Sequence, residues 1–269
     1  MFWLERQLKE ESNRKFIILQ HVYGGARYDN HAMWNTYPNL VYFKLIEKHR
    51  DRIILEVGGH DHFTSMRYHT QLDIFDTEVP AKPSASLFHN ILINPSMTPW
   101  YSNNPGISRF EVHPDTLVPF NYQASFLNLE DTIGKPQRTP YAKLSWRHLD
   151  YKEEFGLEDL TVESIHALRV RLQKDPAQQQ DFMIMKMGLD PSNKQERDKA
   201  IKILESKGLV DEKTGSFWPQ ICLMAKSLST SEFAACTVKD PTRPKPQKKA
   251  LSDSQQEALT EYLKNDFIQ

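Results

Sequence analysis

The sequence lacks an excess of charge of either sign. Its 34 lysines and arginines are balanced by 35 aspartates and glutamates, which leaves a net charge of -1 over 269 residues. Nucleic acids and anionic membrane surfaces are bound through strongly basic surfaces. We therefore expect no nucleic-acid partner.

Cysteine, glycine and long apolar runs are also scarce. The 2 cysteines cannot form a dense disulfide framework, and 10 glycines against 16 prolines disfavour the glycine-rich loops of nucleotide-binding folds. The longest uncharged stretch, residues 83–108, is interrupted by asparagines that lipid could not hydrogen-bond, so the sequence predicts no membrane span. The first residues show no apolar core of a secretory signal and the chain has no N-glycosylation sequon, which leaves the compartment open.

Helical and strand-like patterns alternate over the first sixty residues. In order, their apolar spacing predicts a helix over 2–13, a strand over 15–20, a helix over 42–49 and a strand over 52–57. Each strand runs into histidine, the first at His21 and the second at His60 and His62 in a Gly-Gly-His-Asp-His loop. Open α/β sheets bind ligands at the carboxyl ends of their strands. If the two strands are parallel neighbours, the three histidines meet at one edge of the sheet.

The pattern then changes twice. Apolar and polar residues alternate in four further segments, which predict an antiparallel meander with strands over 66–75, 87–93, 107–112 and 117–127. From about residue 141 we expect the strands to stop and helices to follow, with Thr161 as a cap and with Trp146, Leu168 and Leu172 buried.

The two histidines of the Gly-Gly-His-Asp-His loop suit a metal site, because imidazole binds Zn, Fe, Mn or Ni. In an extended segment, His60 and His62 would lie on one side, and the preceding glycines would let the backbone approach an ion. The alternative is a pair of ordinary loop histidines, since a His-x-His pattern alone is weak. Two metals about 3.5–4 Å apart would form a hydrolytic centre.

A resemblance to the calcineurin-like metallophosphoesterases, and within them to the acid sphingomyelinase-like branch, covers roughly residues 2–238. The segments that carry it are Trp3-Leu4, His21 to Gly25, Trp34, Gly59 to His62, Pro95 to Pro99, Asn103 to Gly106, and Tyr122 to Leu129. It implies an α/β (α+β) fold. Residues 1–140 would form the C-terminal half of a metallophosphoesterase β-sandwich flanked by helices, 141–238 a small all-helical domain, and 239–269 a Pro/Lys linker and terminal helix.

The resemblance also implies a divalent-metal site, zinc foremost, held by His21, His60 and His62. The complete family binds two ions and hydrolyses phosphoric esters. Asp61 would occupy a variable, solvated position between the ligands. In secreted members the C-terminal domain carries a disulfide, so Cys222 and Cys236 are either bonded or two buried thiols.

Of the family's remaining motifs, Gly-Asp and Gly-Asn-His do not occur in the chain. Asp29-Asn30-His31 spells Asp-x-His, but it follows a glycine-containing loop rather than an apolar strand and comes after His21, so it is interpreted as coincidence. Three neutral imidazoles alone cannot offset the positive charge of two divalent cations. The chain is therefore expected to be inactive by itself. Three explanations remain open. It is a piece of a hydrolase, a chain completed by a partner that covers its sheet, or a non-catalytic relative that keeps the fold and has lost the metal. The first two explanations predict exposed apolar residues near 16–20 and 53–57.

Overall fold

The computed structural model describes residues 1–10, 13–27, 31–70, 87–133, 144–210 and 217–224. The expected linker and terminal helix, and Cys236, lie outside these ranges. Within them the strands are β1 (Phe16–Leu19), β2 (Ile53–Gly58), β3 (Ser65–Thr70), β4 (Leu87–Ile93), β5 (Gly106–Val112), β6 (Pro119–Leu127) and β7 (Trp146–Asp150). The helices are α1 (Phe2–Glu10), α2 (Thr36–Lys48), α3 (Leu129–Ile133), α4 (Tyr151–Phe155), α5 (Val162–Lys174), α6 (Pro176–Lys186), α7 (Lys194–Ser206) and α8 (Trp218–Leu223). The fold is thus mixed α/β, as the sequence predicts.

The first sheet has the strand order β1-β2-β4-β3. β1 is parallel to β2 and β2 to β4, whereas β3 is antiparallel to β4. Helix α2 connects β1 with β2 and packs on the sheet through Tyr42, Phe43, Leu45 and Ile46. The apolar run of β2 suits a strand covered on both faces, and Leu55 and Val57 are buried.

The second sheet is antiparallel with the order β5-β6-β7. The expectation of an antiparallel meander is wrong in part: β3 pairs antiparallel with β4, and β5 with β6, but the first pair belongs to the first sheet. Alternation shows which face a side chain takes, but it does not show which strand lies alongside. The expectation that strands stop near 141 is also wrong, since β7 pairs with β6. Trp146, expected to be buried, is 42% exposed because it begins the edge strand β7.

The block after β7 is helical throughout its described part. Thr161 caps α5 through its side chain, and Ile165, Leu168 and Leu172 are buried, as the spacing predicts. These helices share one apolar cluster with residues of both sheets, so the sequence boundary at residue 141 runs through the core. Cys222 is disulfide-bonded. None of the helices in the described ranges is long and apolar enough to cross a membrane.

Candidate metal centre

The carboxyl ends of β1 and β2 lie side by side. The Gln20 N–H donates to the Val57 carbonyl at 3.0 Å, and the Gly59 N–H donates to the His21 carbonyl at 2.9 Å. These bonds extend the parallel pairing beyond the strands and bring His21 next to the loop that carries His60. The condition set by the sequence analysis, that the two strands are parallel neighbours, is met.

His21 and His60 have their rings 5.4 Å apart, centroid to centroid, and nearly perpendicular at 88°. Two imidazoles that share one tetrahedral ion at metal–nitrogen distances of 2.0–2.1 Å have centroids about 5 Å apart. Gly59 makes room for this pair, because an added Cβ would lie 3.3 Å from His21 Nδ1. The separation of the two ring centroids is therefore close to that of two imidazoles on one ion.

His62 lies beyond this pair, in the same loop. Its Nδ1 is 3.4 Å from Thr98 Oγ1, and its ring meets Tyr101 edge-on at 5.0 Å. Burial lowers the pKa of His62, and His60 and His21 lower it further by charge repulsion. A neutral imidazole offers a lone pair to a metal. Yet the described residues contain no group of three or more His, Cys, Asp or Glu side chains arranged to hold an ion.

The loop is not extended, contrary to expectation. His60 has φ +72° and His62 has φ +64°, both in the left-handed region that residues other than glycine seldom adopt. The argument that alternate residues of a strand share one side therefore does not apply to these two histidines. Their placement is set instead by the residue between them.

Asp61 is buried at 2% exposure, so the expectation of a solvated side chain is wrong. Its Oδ2 accepts a hydrogen bond from Arg67 Nη2 at 2.9 Å and another from the Tyr23 hydroxyl. Burial, and then Asp61, raise the pKa of Tyr23 well above its ordinary value, against the opposing effect of Arg67, so the phenol stays protonated and donates. Both hydrogen bonds fall on Oδ2, and Oδ1 is buried without a hydrogen-bond partner among the described residues.

Sequence reasoning missed Arg67, Tyr23 and Thr98. An arginine between Met66 and Tyr68 within a predicted strand is a signal, because a guanidinium that becomes buried needs a partner. Thr98 lies in the Pro95–Pro99 segment, where its backbone N–H donates to Ser96 Oγ at 3.0 Å.

A second group of buried titratable residues lies under α2. Glu56 Oε2 is 3.1 Å from His89 Nε2, the ring of His69 stacks on that of His89 at 5.9 Å, and Phe43 covers His69 at 4.5 Å. Burial, followed by His89 and Arg67, lowers the pKa of His69 well below its ordinary value. The group is part of the core of the protein.

A scan of the chain against protein-family models and a search of curated proteins find no match.

Proposed function

We propose that this chain is an incomplete metallophosphoesterase of the acid sphingomyelinase-like type. In this proposal His21, His60 and His62 bind a divalent metal, zinc foremost. The chain hydrolyses phosphodiesters only when further ligands are added to the site. The single observation that carries the proposal is the perpendicular His21–His60 ring pair at the ends of two parallel strands.

The ring pair supports metal binding because both imidazoles come from segments joined by backbone hydrogen bonds, and the distance between their centroids is close to that expected for two ligands of one ion. A bound ion would polarise a phosphate oxygen and lower the pKa of a water ligand. The chain's own contribution is to hold His21 and His60 in place, with His62 two residues after His60 in the same loop.

Charge supports the need for completion. The histidines are neutral ligands, and Asp61, the acidic residue between two of them, is already paired with Arg67. A two-metal centre requires carboxylates that bridge or neutralise the ions. Such ligands must come from a segment or a partner chain placed against the carboxyl ends of β1 and β2, where the histidines lie.

The exposed edge of the first sheet is where such a segment or partner could pack. In the described part of the chain β1 is an edge strand, with Ile17 39% and Leu19 72% exposed. Edge strands of soluble proteins are usually shielded by charges, prolines or covering elements. The corresponding expectation for 53–57 is wrong, because Ile53, Leu55 and Val57 are buried and none of the five residues is exposed.

Zinc titration of the metal-free chain by calorimetry tests the metal proposal. We expect one ion per chain, and His21→Ala and His60→Ala should each weaken binding by about 10-fold or more, since a lost ligand costs at least as much as a lost outer partner. His113→Ala, in an exposed turn, is the matched control and should bind as the wild type does. Absence of stoichiometric binding by the wild type would contradict the proposal.

Hydrolysis of a chromogenic phosphodiester tests the need for completion. The chain alone should be no faster than free metal ions, and His60→Ala should change nothing. Turnover by the wild type that His60→Ala abolishes would show that the chain already holds a full set of ligands.

The alternative is a non-catalytic interaction subunit with the same fold. The exposed β1 edge favours it, because a sheet edge can receive a partner strand whether or not a metal is bound. A chain that binds no zinc but forms a stable complex through β1 would have this function.

A further inference from the structure

A buried ion pair lies directly beneath the loop of His60 and His62. Arg67 is 1% exposed and Asp61 is 2% exposed, and their facing atoms are 2.9 Å apart. A buried pair of this kind does not by itself make a protein more stable, because both charges lose their hydration. Its geometry is therefore the better guide to its role.

Arg67 contacts both histidine-bearing loops at once. One arm of the guanidinium, Nη2, binds Asp61 in the loop after β2, and the other, Nη1, donates to the Ala26 carbonyl at 2.5 Å in the loop after β1. The guanidinium also lies 4.8 Å from the centre of the Tyr23 ring, whose hydroxyl reaches across to Asp61. Three contacts thus link the two loops through one side chain on β3.

The backbone around Asp61 needs such a link. His60 and His62, on either side of it, both have positive φ values. Residues other than glycine keep that conformation only where the surrounding structure imposes it. The Asp61 side chain fixes the backbone between these two histidines, and Arg67 in turn fixes the Asp61 side chain.

We propose that Arg67 is a positioning residue that sets the spacing of His21 and His60 by fastening together the two loops that carry them. Its functional meaning rests on the metal site proposed above, but the spacing itself requires no ion. Arginine suits this task because its planar fork donates in two fixed directions, which lysine cannot do.

Two variants are designed to weaken the link between the two loops while the chain still folds. Arg67→Lys keeps the positive charge but cannot bind Asp61 and Ala26 together in fixed geometry. Tyr23→Phe removes only the hydroxyl that donates to Asp61. Tyr68→Phe is the matched control, because Tyr68 is the next residue of β3, is equally buried, and directs its hydroxyl to His166 Nδ1 at 2.9 Å.

Two measurements report the outcome. In the metal-free chain, the nuclear Overhauser cross-peak between the ring protons of His21 and His60 reports their spacing, and calorimetric titration with zinc reports affinity. We expect Arg67→Lys and Tyr23→Phe to weaken the cross-peak and to bind zinc about 10-fold or more weakly, while both remain folded by circular dichroism. Tyr68→Phe should change only the melting temperature.

An unchanged cross-peak and unchanged zinc affinity in folded Arg67→Lys would overturn the inference. If Arg67→Lys does not fold, Tyr23→Phe decides the question by the same two measurements. A wild type that shows the cross-peak but binds no zinc would refute the proposed function, and the cross-peak of the variants would still decide whether Arg67 sets the spacing.

Discussion

Replacing Lys186 by methionine should remove a pH dependence from the stability of this protein. Lys186 ends α6 and is 5% exposed, with its Nζ 5.9 Å from the centroid of the Phe182 ring. Burial and, less strongly, Arg67 lower the pKa of Lys186 to about 7, against the opposing effect of Asp61. The fold therefore favours the neutral amine at a position where the unfolded chain carries a charge.

The sign of the effect follows from proton linkage. The unfolded chain keeps the proton of Lys186 up to its ordinary pKa of 10.5, whereas the folded protein releases it above about 7. Between these values the unfolded state binds more protons, so the free energy of unfolding rises with pH. For one group with these two pKa values, the rise from pH 7 to pH 9 is about 2 kcal/mol.

Urea denaturation of the wild type and of Lys186→Met at pH 7, 8 and 9 measures this contribution. The variant should be the more stable protein at pH 7, and its advantage should shrink by about 2 kcal/mol by pH 9. Tyrosine ionisation contributes little in this range, because its ordinary pKa is about 10. Lys202→Met, on the exposed face of α7, should follow the wild type. Parallel curves for the wild type and Lys186→Met would refute a buried lysine that titrates in this window.

Three further substitutions test the close approach of Gly188 to the second sheet and the cap of α4. Gly188→Ala should lower the free energy of unfolding by about 2–4 kcal/mol in urea denaturation, because the added Cβ would lie 2.3 Å from Phe126 and φ is +72°. Gly208→Ala, with φ +65° and open space, should lose only about 1 kcal/mol, and equal losses would contradict the close approach at Gly188. Asp150→Ala should cost about 1–2 kcal/mol at pH 7, because Asp150 caps α4 through two backbone N–H groups. Burial raises the pKa of Asp150, but its hydrogen bonds outweigh burial and lower the pKa overall. The stability lost in Asp150→Ala should therefore become smaller in acid, where the wild-type carboxylate is protonated. A loss of stability that stays the same in acid would refute this role.

The sequence predicts the positions of the strands better than it predicts which strands pair with one another. Apolar runs place β1 and β2 correctly, and their parallel pairing brings His21 to the loop of His60, because both runs end in histidine at the same edge. The short β7 escapes detection because only Leu149 among its five residues is buried. Its strand character comes from pairing with β6, which is a tertiary effect that no local pattern shows.

The sequence predicts the candidate ligands of the site but not the residues that hold them in place. His60 and His62 stand out by type and spacing, whereas Asp61 looks like an exposed loop residue. Its burial depends on Arg67 and on Tyr23, which reach it from β3 and from the loop after β1. A charged residue can be assigned to the core only when its partner in space is known, and the sequence does not give that partner.

The position of β4 between β2 and β3 governs the order in which the first sheet can be assembled. β3 follows β2 after residues 59–64 alone, a connection of nearly hairpin length, yet in the folded sheet β4 separates the two strands. During synthesis β2 and β3 are available to each other before β4 exists, and short loops close faster than long ones. Correct assembly therefore requires that β2 and β3 do not pair with each other before β4 has been synthesised and can lie between them. The loop that carries His60 and His62 spans that gap, so its conformation bears on the folding pathway as well as on the site.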